Sequence, residues 1–250
     1  MAIRLFLSGC LGRMGHVISD IAAASDDLTI VAGSDIKTAA ADFPVYTDPR
    51  QCQEDFDVLI DFSNPAALPA LMDLIRQRRC PAVICTTGLD AALKNDLAQL
   101  ARIAPIFQSA NMSLGINLLI SLVRQSARIL YPEFDIEIIE AHHNQKIDAP
   151  SGTALMIADQ INSALDGQMT LVNDRSQVRQ KRDRREIGMH AIRGGSIVGE
   201  HTVLFAGQDE LITVHHSAQT RTVFARGALA AARFMQGKPA GLYSMNDLVK

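Results

Sequence analysis

The loop Gly9-Cys10-Leu11-Gly12-Arg13-Met14-Gly15 limits the possible folds of this chain more than any other segment, because of what flanks it. Residues 3–7 form a short apolar strand pattern. Residues 12–24 then carry Met14, Val17, Ile18, Ile21 and Ala22 at helical spacing. A strand that turns on glycine straight into a helix begins a β-α-β unit. Gly9 permits the tight turn, Gly12 lets a phosphate approach the backbone, and Gly15 lets the helix pack closely on the sheet. The spacing is GxxGxxG, a variant of the commoner GxGxxG, so its context has to support it. Asp35 does so: it follows a second strand pattern at residues 28–32, where an acid can accept hydrogen bonds from ribose hydroxyls. A nucleotide is therefore expected at this loop. A carboxylate there favours NADH, while Arg13 and Lys37 leave NADPH open.

The alternation continues. Strand patterns at 58–62, 82–85 and 105–107 are separated by helical patterns at 65–78 and 91–103, with Pro65 in a first turn. Nearly continuous apolar strands between helices indicate a parallel sheet covered on both faces. The expected class is α/β, a Rossmann-type doubly wound parallel sheet. Past Asn111 the pattern changes. A long helix at 114–130 leads to a strand at 134–139, and further strand patterns (187–192, 196–205 and 211–215) follow one another without helices. They suggest a second α+β domain built on a mixed or antiparallel sheet. A helix at 222–234 and a tail at 241–250 complete the chain.

Composition removes several classes of function. A net charge of −3 supplies no global basic field for nucleic acid. The densest basic run, 179–185, is broken by Gln180 and Asp183 and reads as a solvated loop. Cys10, Cys52, Cys80 and Cys85 form no CxxC pair, and no apolar run approaches membrane-spanning length. No secretory leader is read at the N-terminus, because glycines and Arg13 interrupt its apolar start. A reduced, cytoplasmic setting is expected. No Cys, His and acid set has zinc spacing, so no metal is expected.

Chemistry concentrates between Glu140 and Ala154. His142, His143, Lys146 and Asp148 lie in seven positions, followed by Pro150-Ser151-Gly152-Thr153 and an apolar, helix-favouring run. Proton donors at a strand end thus precede the N–H groups that open a helix, which bind carboxylates or phosphates. The pattern suits a small anionic substrate that is protonated as it reacts. Adjacent strand residues face opposite ways, so His142 and His143 share one pocket only if the backbone turns there. His190, His201, His215 and His216 sit on strand patterns and read as packed or solvated.

Taken together, these strings are similar to the dihydrodipicolinate reductase family, nearly end to end. The resemblance runs through the glycine loop, Asp61-Phe62-Ser63, Thr86-Thr87-Gly88, residues 111–117 and residues 140–154. It continues at 190–195, 199–202 and 241–248. It implies reduction of the dihydrodipicolinate precursor (4-hydroxy-tetrahydrodipicolinate) to tetrahydrodipicolinate by NADH or NADPH, in the diaminopimelate and lysine pathway. It assigns His142 as proton donor and acceptor and Lys146 as second donor. His143, Ser151, Gly152 and Thr153 become substrate binders. Gly9, Cys10, Leu11, Gly12, Arg13, Met14 and Asp35 become the cofactor loop and ribose acid. Cys85, Thr86 and Thr87, with Ser109, Ala110, Asn111 and Met112, fall beside the nicotinamide. It also implies a homotetramer, with residues 1–112 and 221–250 binding the nucleotide and 113–220 binding substrate and partner subunits. Three positions depart from the family pattern. Asn144-Gln145 stand where some members have Arg-His, Cys85 stands where glycine is usual, and Ile36 follows Asp35 where some have arginine. Two alternatives stay open on the residues alone: another two-domain NAD(P)-dependent oxidoreductase such as an amino-acid dehydrogenase, and a non-catalytic NAD(P)-sensing protein.

Overall fold

The computed structural model describes residues 2–249 and divides into two compact units, Met1–Leu114 with Thr222–Lys250, and Gly115–Arg221. The first contains a seven-stranded sheet. Its elements are β1 (Ile3–Ser8), α1 (Arg13–Ala23), β2 (Leu28–Ser34), β3 (Val45–Tyr46), β4 (Val58–Asp61), α2 (Leu68–Arg78), β5 (Ala82–Ile84), α3 (Ala91–Leu100) and β6 (Pro105–Gln108). Every strand pairing in this sheet is parallel. Parallel strands buried on both sides have no polar face, which is why they read as unbroken apolar runs. Leu5, Leu7, Ile60, Val83 and Phe107 pack in one core with Ile18 and Ala22 of α1. Phe6, Leu59, Ile84 and Ile106 point the other way, into a core with Leu71 and Ile75 of α2 and Leu97 of α3. With the late strand β12 (Gly241–Tyr243) at one edge, strand order is β12-β6-β5-β4-β1-β2-β3. The chain therefore reverses direction of growth beside β1, and the glycine loop lies at that switch point, where α/β sheets bind ligands.

The second unit holds α4 (Leu114–Leu130) from Gly115 onward, β7 (Asp135–His142), α5 (Gly152–Ala164), β8 (Thr170–Val172), β9 (Glu186–Arg193), β10 (Gly199–Ala206) and β11 (Leu211–Ala218). The sheet is mixed, in order β11-β10-β7-β9-β8: β10 is antiparallel to β7 and β11, while β9 is parallel to β7 and β8. Alternate residues Ile136, Ile138, Val203 and Phe205 face α4 and α5 through Ile120, Val123, Ile157 and Ile161. The opposite face is left without a covering helix of this unit, and there Ile192 and Leu211 are 51% and 60% exposed.

The chain then returns to the first unit. Ala225, Ala228, Leu229 and Ala232 of α6 (Thr222–Phe234) belong to the same core as β1 and β4. Two sequence expectations need correcting. Residues 241–249 are not a plain tail: β12 (Gly241–Tyr243) pairs with β6 as the seventh strand, and α7 (Met245–Leu248) follows with Ser244 and Asp247 in a capping box. The basic run is not simply solvated either. Arg182 bridges Asp135 and Glu137 and donates to the carbonyls of Ile136 and Glu186, pinning its loop to β7 and β9.

Candidate active site

In the first unit, the glycine loop leaves the start of α1 available to a ligand. Gly12 is the N-cap and offers no side-chain bond, and no acid lies in the first turn. The first-turn N–H groups therefore remain for an external anion. Gly9 has φ +76°, and a Cβ there would lie 2.6 Å from the Phe62 carbonyl oxygen. A Cβ on Gly15 would lie 2.4 Å from the carbonyl oxygens of both Gly9 and Cys10. The Asp35 carboxylate accepts from Leu11 N at 2.9 Å and Ile36 N at 2.8 Å, which fixes it at the end of β2. Each oxygen keeps a lone pair for a ribose hydroxyl.

A cavity of about 560 Å³ joins these features, lined by Gly9, Gly12, Asp35, Asn64 and Ala66 among others. A second cavity of about 270 Å³ is lined by Ser63, Cys85, Thr86, Thr87, Ala110, Met112 and Phe224. An uncapped helix start, a glycine floor and a fixed carboxylate suit the pyrophosphate and ribose of NAD(P)H. Cys10 is instead buried in the core, Leu11 and Met14 pack against that core, and Arg13 is exposed. The Ser109 hydroxyl donates to the Asn111 carbonyl and so shapes its loop, and neither residue lines the second cavity. Asp61, visible in the sequence only within the string Asp61-Phe62-Ser63 and without a role of its own, has its carboxylate beside this cavity. It is fully buried and accepts from Ser63 N at 3.0 Å and Thr86 Oγ1 at 2.6 Å, aligning two residues of the second cavity. Burial pushes its pKa up, against the pull of those hydrogen bonds.

In the second unit, His142 ends β7 on the same face as Ile136, Ile138 and Glu140. Its Nδ1–H donates to Glu140 Oε2 at 2.6 Å. Nε2 has no hydrogen-bond partner among the described residues, and a Cβ on Gly199 would lie 3.1 Å from it. Burial lowers the His142 pKa, the Glu140 bond opposes that, and the charges of Lys146 and Arg193 lower it further. Glu140 is 0% exposed. It also accepts from Ser151 N at 3.0 Å and from Arg193 Nη1 and Nη2 at 2.8 and 2.7 Å. Burial pushes Glu140 up, but the bonds from Arg193, His142 and Ser151 outweigh it and hold the carboxyl below its usual range.

The remaining residues divide clearly. His143 begins the turn after β7, and its buried Nδ1 has no partner among the described residues. Lys146 Nζ donates to both Asp148 oxygens, at 2.8 and 2.9 Å, and the Gly152 N–H also lowers the Asp148 pKa. The chain's own carboxylate thus stands where a substrate carboxylate is expected to find Lys146 and Gly152. Ser151 departs from its expected role. It is the N-cap of α5, with its Oγ accepting from Ala154 N and bonded to His201 Nε2 at 3.1 Å, while its N–H goes to Glu140. Gly152 and Thr153, beyond it, are not fully buried. Among the described residues, no group of three or more His, Cys, Asp or Glu could hold a metal ion, and no helix is long and apolar enough to cross a membrane.

His201, read from sequence as one packed or solvated histidine among several, lies inside this network. Its ring stands edge-on to His142, with centroids 5.3 Å apart. Burial, then the nearby His142, push its pKa down to about 4. The native state therefore holds His201 neutral, while an unfolded chain protonates it near pH 6.5. Between those values the unfolded state binds more protons, so stability is lost as the pH drops from 6.5 toward 4, by up to about 3 kcal/mol at the acid end. Urea denaturation across pH 4–8 should show this slope, and His201→Asn should flatten it. An unchanged slope in the variant would assign the acid sensitivity to other groups.

Comparison with known proteins settles the family. Residues 3–112 match the dihydrodipicolinate reductase N-terminus and residues 115–249 the dihydrodipicolinate reductase C-terminus. The chain belongs to the dihydrodipicolinate reductase family. It is 52% identical to the 4-hydroxy-tetrahydrodipicolinate reductase of Caldanaerobacter subterraneus subsp. tengcongensis, over 100% of this chain and 99% of the relative. It is 46% identical to the reductase of that name from Clostridium tetani, over 100% and 98%. Among solved structures, the dipicolinate-bound dihydrodipicolinate reductase from Paenisporosarcina sp. TG-14 matches with a TM-score of 0.84 and 25% identity, covering 98% and 99% of the two chains. The reductase is thus an NAD(P)H-dependent oxidoreductase with a Rossmann-type domain, and the non-catalytic alternative is set aside.

Proposed function

We propose that this reductase converts 4-hydroxy-tetrahydrodipicolinate to tetrahydrodipicolinate for lysine and diaminopimelate synthesis, with His142 as the proton donor and Lys146 as a carboxylate clamp. The observation that carries the assignment is the His142 imidazole, whose Nδ1 is committed to a buried carboxylate while Nε2 has no partner among the described residues. Bound NADH or NADPH supplies the hydride. Gly9, Gly12 and the start of α1 hold its pyrophosphate, Asp35 its ribose, and the cavity at Thr86, Thr87 and Met112 receives the nicotinamide.

The substrate hydroxyl leaves as water when it gains one proton and the ring releases one. Hydride from the reduced nicotinamide and one further proton then reduce the carbon–carbon double bond conjugated to the ring imine. The C=N bond is kept in the product, and His142 Nε2 delivers that proton to carbon. An imidazole, which can both hold and release a proton at Nε2, suits the task. Lys146 and the Gly152 backbone, which hold the Asp148 carboxylate, offer cationic and N–H contacts that a substrate carboxylate takes over from it, beside the His143 ring at the end of β7. The dipicolinate bound to the Paenisporosarcina protein supports a dicarboxylate of this kind. The first unit serves the nucleotide. The second serves substrate and oligomerisation, and its uncovered sheet face with Leu211 and Ile192 supports a homotetramer.

The test is loss of NADH or NADPH absorbance in the presence of the aldolase-derived precursor; binding without turnover would refute the assignment. Comparing kcat/KM for the two cofactors reads the influence of Asp35. Lys146→Ala is expected to raise the substrate KM and lower kcat together. It removes the ammonium and leaves Asp148 unbalanced beside the incoming carboxylates. Unchanged kinetics would reduce Lys146 to a surface cation.

A further inference from the structure

Nothing in the reaction requires Glu140 to be so deeply buried or so fully bonded. A buried ion pair is a poor source of stability, since apolar residues of similar volume usually serve as well. Here one carboxylate gathers four donated hydrogen bonds from three elements: His142 Nδ1–H on β7, two from Arg193 at the end of β9, and Ser151 N at the start of α5. Arg193 Nη2 also donates to the Asp148 carbonyl at 2.7 Å, which ties in the loop that carries Lys146. Resting on the reading of His142 as proton donor, we propose that Glu140 and Arg193 are a positioning pair: Glu140 fixes the imidazole tautomer that presents Nε2, and Arg193 cancels the carboxylate charge so that His142 takes up its proton only when the dicarboxylate arrives.

The tautomer follows from the geometry. With the Nδ1 proton held on Glu140 Oε2, the second proton can only be gained and lost at Nε2. The groups that face the ring balance its surroundings electrically. Glu140 is matched by Arg193, and Asp148 by Lys146. His201 on β10 is held neutral by burial, and His216 on β11 is its register partner. The two ion pairs cancel, and a protonated His142 would add an unmatched charge in a half-buried place. Burial together with Lys146 and Arg193 accordingly keeps the free imidazole neutral. A ligand with two carboxylates reverses that balance and loads the proton beside the carbon that needs it.

Two variants should move His142 in opposite directions, which a merely structural pair would not do. Glu140→Gln removes the negative partner and leaves Arg193 unopposed, so His142 should titrate lower and lose its fixed tautomer. Arg193→Gln leaves Glu140 unopposed, so His142 should titrate higher. Imidazole NMR titration of the full chain, with and without dipicolinate, reads both effects independently of turnover. In the parent protein dipicolinate should bring net proton uptake at His142, measurable by calorimetry in buffers of different ionisation heat. In turnover, Glu140→Gln should lower kcat on the order of 10–10²-fold, with KM for NAD(P)H unchanged and the pH profile displaced toward acid. Absence of proton uptake in the parent, or a His142 titration unmoved by either folded variant, overturns the proposal. If His142→Gln itself leaves turnover intact, the reading of His142 fails instead, and the two failures are distinguished.

Discussion

His142→Gln lowers kcat by about 10²–10⁴, or roughly 3–5 kcal/mol of barrier, and leaves NAD(P)H affinity unchanged. Glutamine is close to histidine in size, and its amide can still donate to the buried Glu140 carboxylate, so the end of β7 keeps its packing. What it cannot do is carry a proton that leaves near neutral pH. The reduced ring would then draw its proton from water, without an aligned donor. The nucleotide loop belongs to the other compact unit, so fluorescence titration with NADH should match that of the parent. A variant that keeps more than half of parental turnover would remove His142 from the mechanism.

Gly227→Ala is expected to have the largest structural effect. A Cβ at this position of α6 would lie 1.7 Å from the Met112 carbonyl oxygen, less than half an ordinary contact distance. Two effects compete. Alanine is the better helix former by about 1 kcal/mol. Overpacking costs about 1–3 kcal/mol even where side chains can adjust, and here the obstacle is backbone. The clash wins. Its neighbours offer no relief, because Ala225, Ala228 and Leu229 are already buried in the core. Displacing Met112 also reshapes the smaller cavity, which Met112 and Phe224 both line. The melting temperature and NAD(P)H affinity should fall together. A variant with the parental melting temperature and affinity would show that α6 does not press on this loop.

Much of this molecule is visible in its sequence for identifiable reasons. The β1 and β4 runs are apolar throughout because both faces are covered, and the glycines of the loop are spaced by backbone crowding. The strand end at His142 and the helix start after Ser151 carry local signals too. β3, β8 and β12 do not, since two or three residues establish no period, and their existence depends on a neighbouring strand already in place. The network around His142 was out of reach for a different reason. Arg193 lies 53 positions from Glu140, and His201 lies 50 from Ser151. They meet because β9 sets Arg193 against His142 and β10 sets His201 against Glu140. Only a strand register makes those pairs, and a one-residue slip would send each side chain to the other face. Arg182 was misread for the same reason, because its partners on β7 are 45 and 47 positions away.

The return of α6 to the opening sheet has a consequence for how the polypeptide matures during synthesis. Residues 1–114 leave the ribosome long before α6 and β12, which supply part of one helix layer, beside α1, and one edge of their sheet. Until then the apolar sides of Leu7, Ile60 and Val83 lack cover that only the last 29 residues bring. The middle segment, Gly115–Arg221, is already whole when it emerges. Nascent chains should therefore gain protease resistance in that middle segment first. The nucleotide loop, though made before that segment, should acquire a firm seat only once residues 222–250 have emerged.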